Sequence, residues 1–199
     1  MGTTREEVIN NALGLLGSDL SVSDLDTDET AQADVARRLY ETLYVAKIQE
    51  YPWSFATQEE TSQLAQLVGD SAEGFPRYGR PSNNLRITRL FTETSPKIDY
   101  RLEGDAIVVL DGTDGSVTPI FLTGLVRPSE SAVSAGFALA FAAELAGWMA
   151  PAITESESKA GYWLDQAKSR WRQAKEEDYR SVGNKTMFKK SDCSLLSVR

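Results

Sequence analysis

Four arginines, Arg77, Arg80, Arg86 and Arg89, fall in one short stretch and are interleaved with Phe75, Tyr78 and Phe91. Cations that hold phosphate beside rings that stack on bases are the working parts of a single-strand nucleic-acid face. The alternative is a strand pair whose arginines meet acidic side chains of an adjacent subunit. The formal net charge of −8 favours that alternative, because an acidic body repels phosphate. Gly74 to Gly79, followed by Arg80, also mimics the spacing of a phosphate loop. That mechanism needs backbone amides and a helix N-terminus aimed at phosphate. Arg80 stands in place of the lysine, and Pro81 in place of Ser or Thr. No helix can follow directly, so the loop is excluded.

Carboxylates are the other candidates for chemistry. Glu59/Glu60 and Glu176/Glu177/Asp178 could supply the pair that glycoside cleavage requires, and Glu144 is a further acid to consider. Such a pair must face across a cleft at a set separation, which adjacency in sequence does not report. Solvated charge is the ordinary explanation. The chain has no histidine. This removes Ser-His-Asp triads, Cys-His pairs and HExxH zinc sites. A single cysteine, Cys193, allows neither an internal disulfide nor a Cys-rich zinc site. Asp111 and Asp114 lack calcium-loop spacing and read as turn formers. No serine sits in a GxSxG elbow. The expectation is a protein that is not an enzyme and needs no metal or cofactor.

The elements that must position these residues are read from periodicity. Thr4 and Glu7 form a capping box for a helix over 4–16, with Val8, Ile9, Ala12, Leu13 and Leu16 on its apolar face and Gly17 as its stop. An acidic loop over 18–27 leads to a second helix over about 28–51, capped by Thr27 or Asp28. Its stripe is Val35, Leu39, Leu43 and Ala46, widened by Tyr40, Tyr44 and Ile48. Pro52 ends it. Gly and Pro then punctuate 53–127, where strand-like runs appear at 53–57, 85–91, 98–102, 107–110 and 117–126. Asp111 to Gly115 reads as a hairpin turn. Pro128-Ser129 opens a third helix that runs to Ala150 and is closed by Pro151. Thr154 and Glu157 suggest a second capping box for a fourth helix to about Tyr179, with Ala160, Trp163, Leu164, Ala167, Trp171 and Ala174 on one face.

The third helix is apolar all round except for Glu144, so it must be covered on most sides. Three amphipathic helices of the same chain could do that, and so could neighbouring subunits. Glu144 and Gly136 interrupt it too early for a bilayer span, and no apolar leader comes after Met1. The charge is uneven. Residues 1–60 carry 12 acidic and 4 basic side chains, whereas 181–199 carry 1 and 4. The fold expected from these features is mainly α. An antiparallel helical bundle is formed by 1–52 and 128–180, with a β-rich insertion over 53–127 and an extended C-terminal tail over 181–199.

The order of features resembles the head-to-tail adaptors of short-tailed bacteriophages, the tail tubular protein A group. The matching pieces are Ile9-Asn10-Asn11-Ala12-Leu13-Gly14-Leu15-Leu16-Gly17 with the acidic loop after it, and Ala31 to Tyr51 followed by Pro52-Trp53-Ser54-Phe55-Ala56-Thr57. Tyr78 to Arg86 and the last two helices complete the set. Within it, Arg80 and Asn83 stand where the family commonly has Leu and Asp. The resemblance covers roughly residues 5–180. It implies a ring, usually of twelve copies, under the portal of the virion, made in the host cytoplasm. Such a ring carries the tail nozzle and passes genomic DNA without sequence-specific contacts. The partners implied are the chain itself, the portal protein, the nozzle protein and that DNA, with no membrane. On that picture Phe188, Lys189 and Lys190 meet the portal, and Arg77, Arg80, Arg86 and Arg89 meet neighbours or the nozzle. Two other classes are carried beside it: a virion-associated cell-wall glycoside hydrolase, and a monomeric cytosolic binding module that uses the arginine stretch.

Overall fold

The computed structural model describes residues 3–59, 64–67, 71, 73–110 and 119–181, apart from the side chain of Glu59. They form two compact units. One is built from residues up to 43 and from 130 onward, the other from residues within 44–129.

The first unit is helical. α1, Arg5–Leu16, starts on the expected capping box and stops at Gly17, whose φ of 78° only glycine adopts freely. All five residues expected on its inner face are buried. α2, Ala31–Glu50, is capped by Thr30, whose Oγ1 accepts from Ala33 N at 3.3 Å. Thr27 and Asp28 are not the cap. Asp28 instead accepts from Thr30 N at 2.9 Å and shapes the approach. Along the part of α2 in this unit, Ala33, Ala36 and Tyr40 are buried, whereas Val35 and Leu39 are only half-buried.

A short 3-10 turn at Glu130–Ala132 precedes α3, Ala135–Thr154, which is capped by Ser134. Pro151 lies inside α3 and does not close it. Thr154 is its last residue and donates to Ala150 O rather than capping the next helix. α4, Glu157–Ser181, packs antiparallel to α3, with Gly136 against Ala174 and Gly147 against Leu164. α1 and α4 also enclose α3. From Phe137 to Ala150 every residue is buried except Leu139 and Trp148. Apart from those two residues, the cover that neighbouring subunits could have supplied is given by the helix's own unit. By length and composition α3 could cross a membrane, but most of it is buried in this unit, as a core helix is.

The second unit is built on two three-stranded antiparallel sheets. The first has order β1-β6-β3, with β1 at Thr57–Glu59, β3 at Asn84–Phe91 and β6 at Phe121–Val126. The second has order β2-β5-β4, with β2 at Arg77–Gly79, β4 at Tyr100–Glu103 and β5 at Ala106–Val109. Ile87, Leu90 and Leu122 of the first sheet share a core with Tyr78, Ile107 and Val109 of the second, together with Leu64, Ile98 and Ile120. β2 was not expected from sequence. It exists because its neighbours supply bonds: Tyr78 pairs with Ile107, and Leu67 N donates to Arg77 O at 2.8 Å. The outer rim of β3 is closed by local partners. Leu85 O accepts from Gln49 Nε2, Ile87 O from the Tyr100 hydroxyl, and Leu90 O from Ile98 N.

These findings overturn the expectation of a mainly α bundle with a β-rich insertion. Among the described residues about 49% are helix and 17% strand, an α/β mix with four helices and two sheets. The physical reason is that the strands enclose a hydrophobic core of their own. Of the extended tail expected over 181–199, Ser181 instead ends the last helix and the rest lies outside the described residues, as does the expected turn at 111–115.

Candidate functional site

The arginines are placed by β2 and β3. Alternation along β3 would put Arg86 and Arg89 on opposite faces. A bulge between Ile87 and Arg89 shifts the register, and an extra residue of this kind resets the alternation. Arg86 then lies opposite Leu125, Arg89 opposite Thr123, and Phe91 opposite Phe121, while Ile87 and Leu90 turn into the core. Arg86, Arg89 and Phe91 thus form a row on the outward face. The Arg89 guanidinium stands 4.6 Å from the centre of the Phe91 ring, and that ring stacks on Phe121 at 5.6 Å.

The other contacts of these arginines are with backbone. Arg86 Nη1 donates to Gln49 O at 2.8 Å, on the last turn of α2, where a cation suits the helix dipole. Arg80 Nη2 donates to Asn84 O at 2.6 Å. Arg77 and Arg80 each bury an Nε that has no hydrogen-bond partner. Among the described residues none of the four meets a carboxylate, whereas the nearby Arg101 is held by Glu103 and Glu73 at 2.6 and 2.9 Å. Burial pushes the Tyr100 phenol above its ordinary value, and the charges of Arg86 and Arg80 pull it back.

Sequence reasoning missed two supports of this face. Asn84 is buried, and its amide lies against Gly124, where a Cβ would come within 1.9 Å of Asn84 Nδ2. Tyr100, read only as part of a strand, brings its hydroxyl to the backbone of β3. Neither role has a local sequence signal, because both depend on pairing across the unit.

The acidic loop before α2 is a built structure in the first unit. Val22 and Leu25 are buried anchors. Asn10 clamps Val22 in both directions, at 2.9 and 2.7 Å. Arg37 gathers Leu25 O and Asp28 O and reaches Asp34. Asp24 accepts from Asp26 N, and also from the Thr27 hydroxyl; these bonds hold its carboxyl below the ordinary value. Asp28 is held low first by its bond from Thr30 N. The loop frames an open hollow of about 600 Å³ lined by Asp26, Asp28, Glu29 and Asp34, with Thr27 and Arg37. No group of acidic, Cys or His side chains that could hold a metal occurs among the described residues.

The other candidates are scattered. Glu144 is buried and accepts from Trp171 Nε1. Glu176 and Glu177 are exposed, whereas Asp178 is buried. The side chain of Glu59 and all of Glu60 lie outside the described residues, as do Phe188, Lys189, Lys190 and Cys193. No family model matches the chain, and no curated protein matches it.

Proposed function

We propose that the chain is a structural subunit of a ring adaptor at the head-to-tail junction of a short-tailed bacteriophage virion. In that role it joins portal to tail nozzle and lets genomic DNA pass. The observation that carries this reading is the set of large apolar side chains left on the helical unit after its own core is full. Leu139 and Trp148 of α3 are 53% and 50% exposed, and Tyr162 and Tyr179 of α4 are 57% and 51% exposed. Half-exposed aromatic rings of this kind are enriched at interfaces. Leu139 and Trp148 are separated by about two and a half helical turns, which puts them on opposite sides of α3. A subunit of a closed ring must touch a neighbour on each side through two different surfaces, and exposure on opposite sides supports that use. The resemblance in the order of sequence features points the same way. The net charge of −8 also suits a ring through which a polyanion slides rather than sticks.

The test is assembly. Sedimentation velocity of the purified chain, alone and with the portal protein of the same genome, should show a species near twelve times 21.9 kDa. Leu139→Glu and Trp148→Glu should each reduce it while leaving the circular dichroism spectrum unchanged. A chain that stays monomeric with portal present refutes the reading.

A further inference from the structure

We propose that the outward row of β3, with Arg86 and Arg89, seats on the acidic loop 18–30 of a second copy of this chain. The inference deepens the ring reading and rests on it.

Three observations meet here. First, Arg77, Arg80, Arg86 and Arg89 have no carboxylate partner among the described residues, in a chain of net charge −8. Arg89 is exposed, and its guanidinium is held in place by the Phe91 ring. Guanidinium forks of this kind suit carboxylates because two parallel hydrogen bonds form at once. Second, the complementary surface exists in the same chain. Asp19, Asp26 and Glu29 are exposed on the loop, and Asp26, Asp28, Glu29 and Asp34 border its hollow. Third, both surfaces are already ordered. The loop is fixed by Asn10, Arg37 and its buried Val22 and Leu25, and the arginine row is fixed by the β3 ladder and its bulge. Little ordering entropy then remains to oppose docking. The two surfaces differ, so the contact is heterologous, the kind that propagates from copy to copy. Nucleic acid is the competing occupant, and the negative charge of the body disfavours it.

The experiment uses the full chain and charge reversals at exposed positions. One variant is Arg89→Glu. The other is Asp19→Lys with Glu29→Lys. Arg86 and Arg80 stay intact because they bond to backbone. Self-association is read by sedimentation velocity at low and high salt, with folding checked by circular dichroism. Each variant alone should associate at least ~10-fold more weakly than the parent. An equimolar mixture of the two should recover association, because each reversed face then meets a reversed loop. Salt should weaken the parent assembly. A milder variant, Arg89→Gln, covers the case in which the reversal fails to fold; it should weaken association less and in the same direction.

Variants that assemble as well as the parent overturn this inference and leave the ring reading standing. A mixture that fails to recover also overturns it, when both variants are folded. A parent that stays monomeric at every concentration and salt, with the portal protein present as well as without it, overturns both. Loss of binding to a labelled DNA duplex, with self-association unchanged, reassigns the face to phosphate.

Discussion

The indole Nε1 of Trp171 on α4 donates to the carboxylate of Glu144 on α3, deep in the helical unit. The bond explains how the lone charged residue of an otherwise apolar helix is tolerated, since a buried polar group without a partner is costly. Glu144→Ala removes the acceptor and strands the indole. It should cost about 1–3 kcal/mol in urea unfolding. Glu144→Gln keeps an acceptor and should cost less. Equal losses for the two variants contradict this account.

Close approach of α3 and α4 depends on Gly147. A Cβ there would meet Leu164 Cγ at 2.7 Å and Leu164 N at 3.1 Å. Gly147→Ala should lower stability by about 1–3 kcal/mol, the usual cost of overpacking. Adding Leu164→Ala should recover part of that loss in the double mutant, and strict additivity of the two single losses is the contrary result.

Gly124 plays the matching part under the arginine face. Gly124→Ala would drive a methyl into the Asn84 amide and bring it to 3.0 Å from Arg86 O. The expected outcome is a destabilised second unit, seen as faster amide exchange in β3 and β6 than in the parent. Unchanged exchange in both strands counts against the packing described.

The capping box is reciprocal, with Glu7 N donating to Thr4 Oγ1 at 3.2 Å and Thr4 N donating to Glu7 Oε2 at 3.0 Å. Thr4→Ala should cost about 1 kcal/mol. Thermal melts of Thr4→Ala and Thr4→Ser decide it, since serine can keep the bond.

Acid should release the loop. The Asp24 and Asp28 carboxyls titrate below their ordinary 3.8 in the folded chain because backbone hydrogen bonds favour the charged form. A lowered folded pKa gives stability that is present above the unfolded value and is lost as pH falls through the folded one. Asp24→Asn and Asp28→Asn should therefore lower Tm at pH 7. The gap to the parent should close as pH drops below about 3.8. A gap that persists in acid contradicts the assignment.

Much of α1 was legible because its cap, stripe and stop are all local signals. α2 was less so. Its apolar residues form two adjacent stripes, and the one expected inside, Val35, Leu39, Leu43 and Ala46, is the more exposed. Tyr40, Tyr44 and Ile48 are the buried ones. Ala33 and Ala36 continue the buried stripe toward the N-terminus, so helical spacing fits both stripes and does not choose between them. Pro151 misled in a similar way: a proline usually ends a helix, yet α3 runs on to Thr154. The arginines were visible as a cluster, but the common face of Arg86 and Arg89 was not. It rests on a bulge whose register is set by β6, and no residue type in β3 announces it.

The occupied carbonyls along the rim of β3 limit how copies of this chain can meet. A rim whose acceptors are already engaged offers a newcomer no ladder to extend. Addition of a foreign strand along β3 is thereby discouraged.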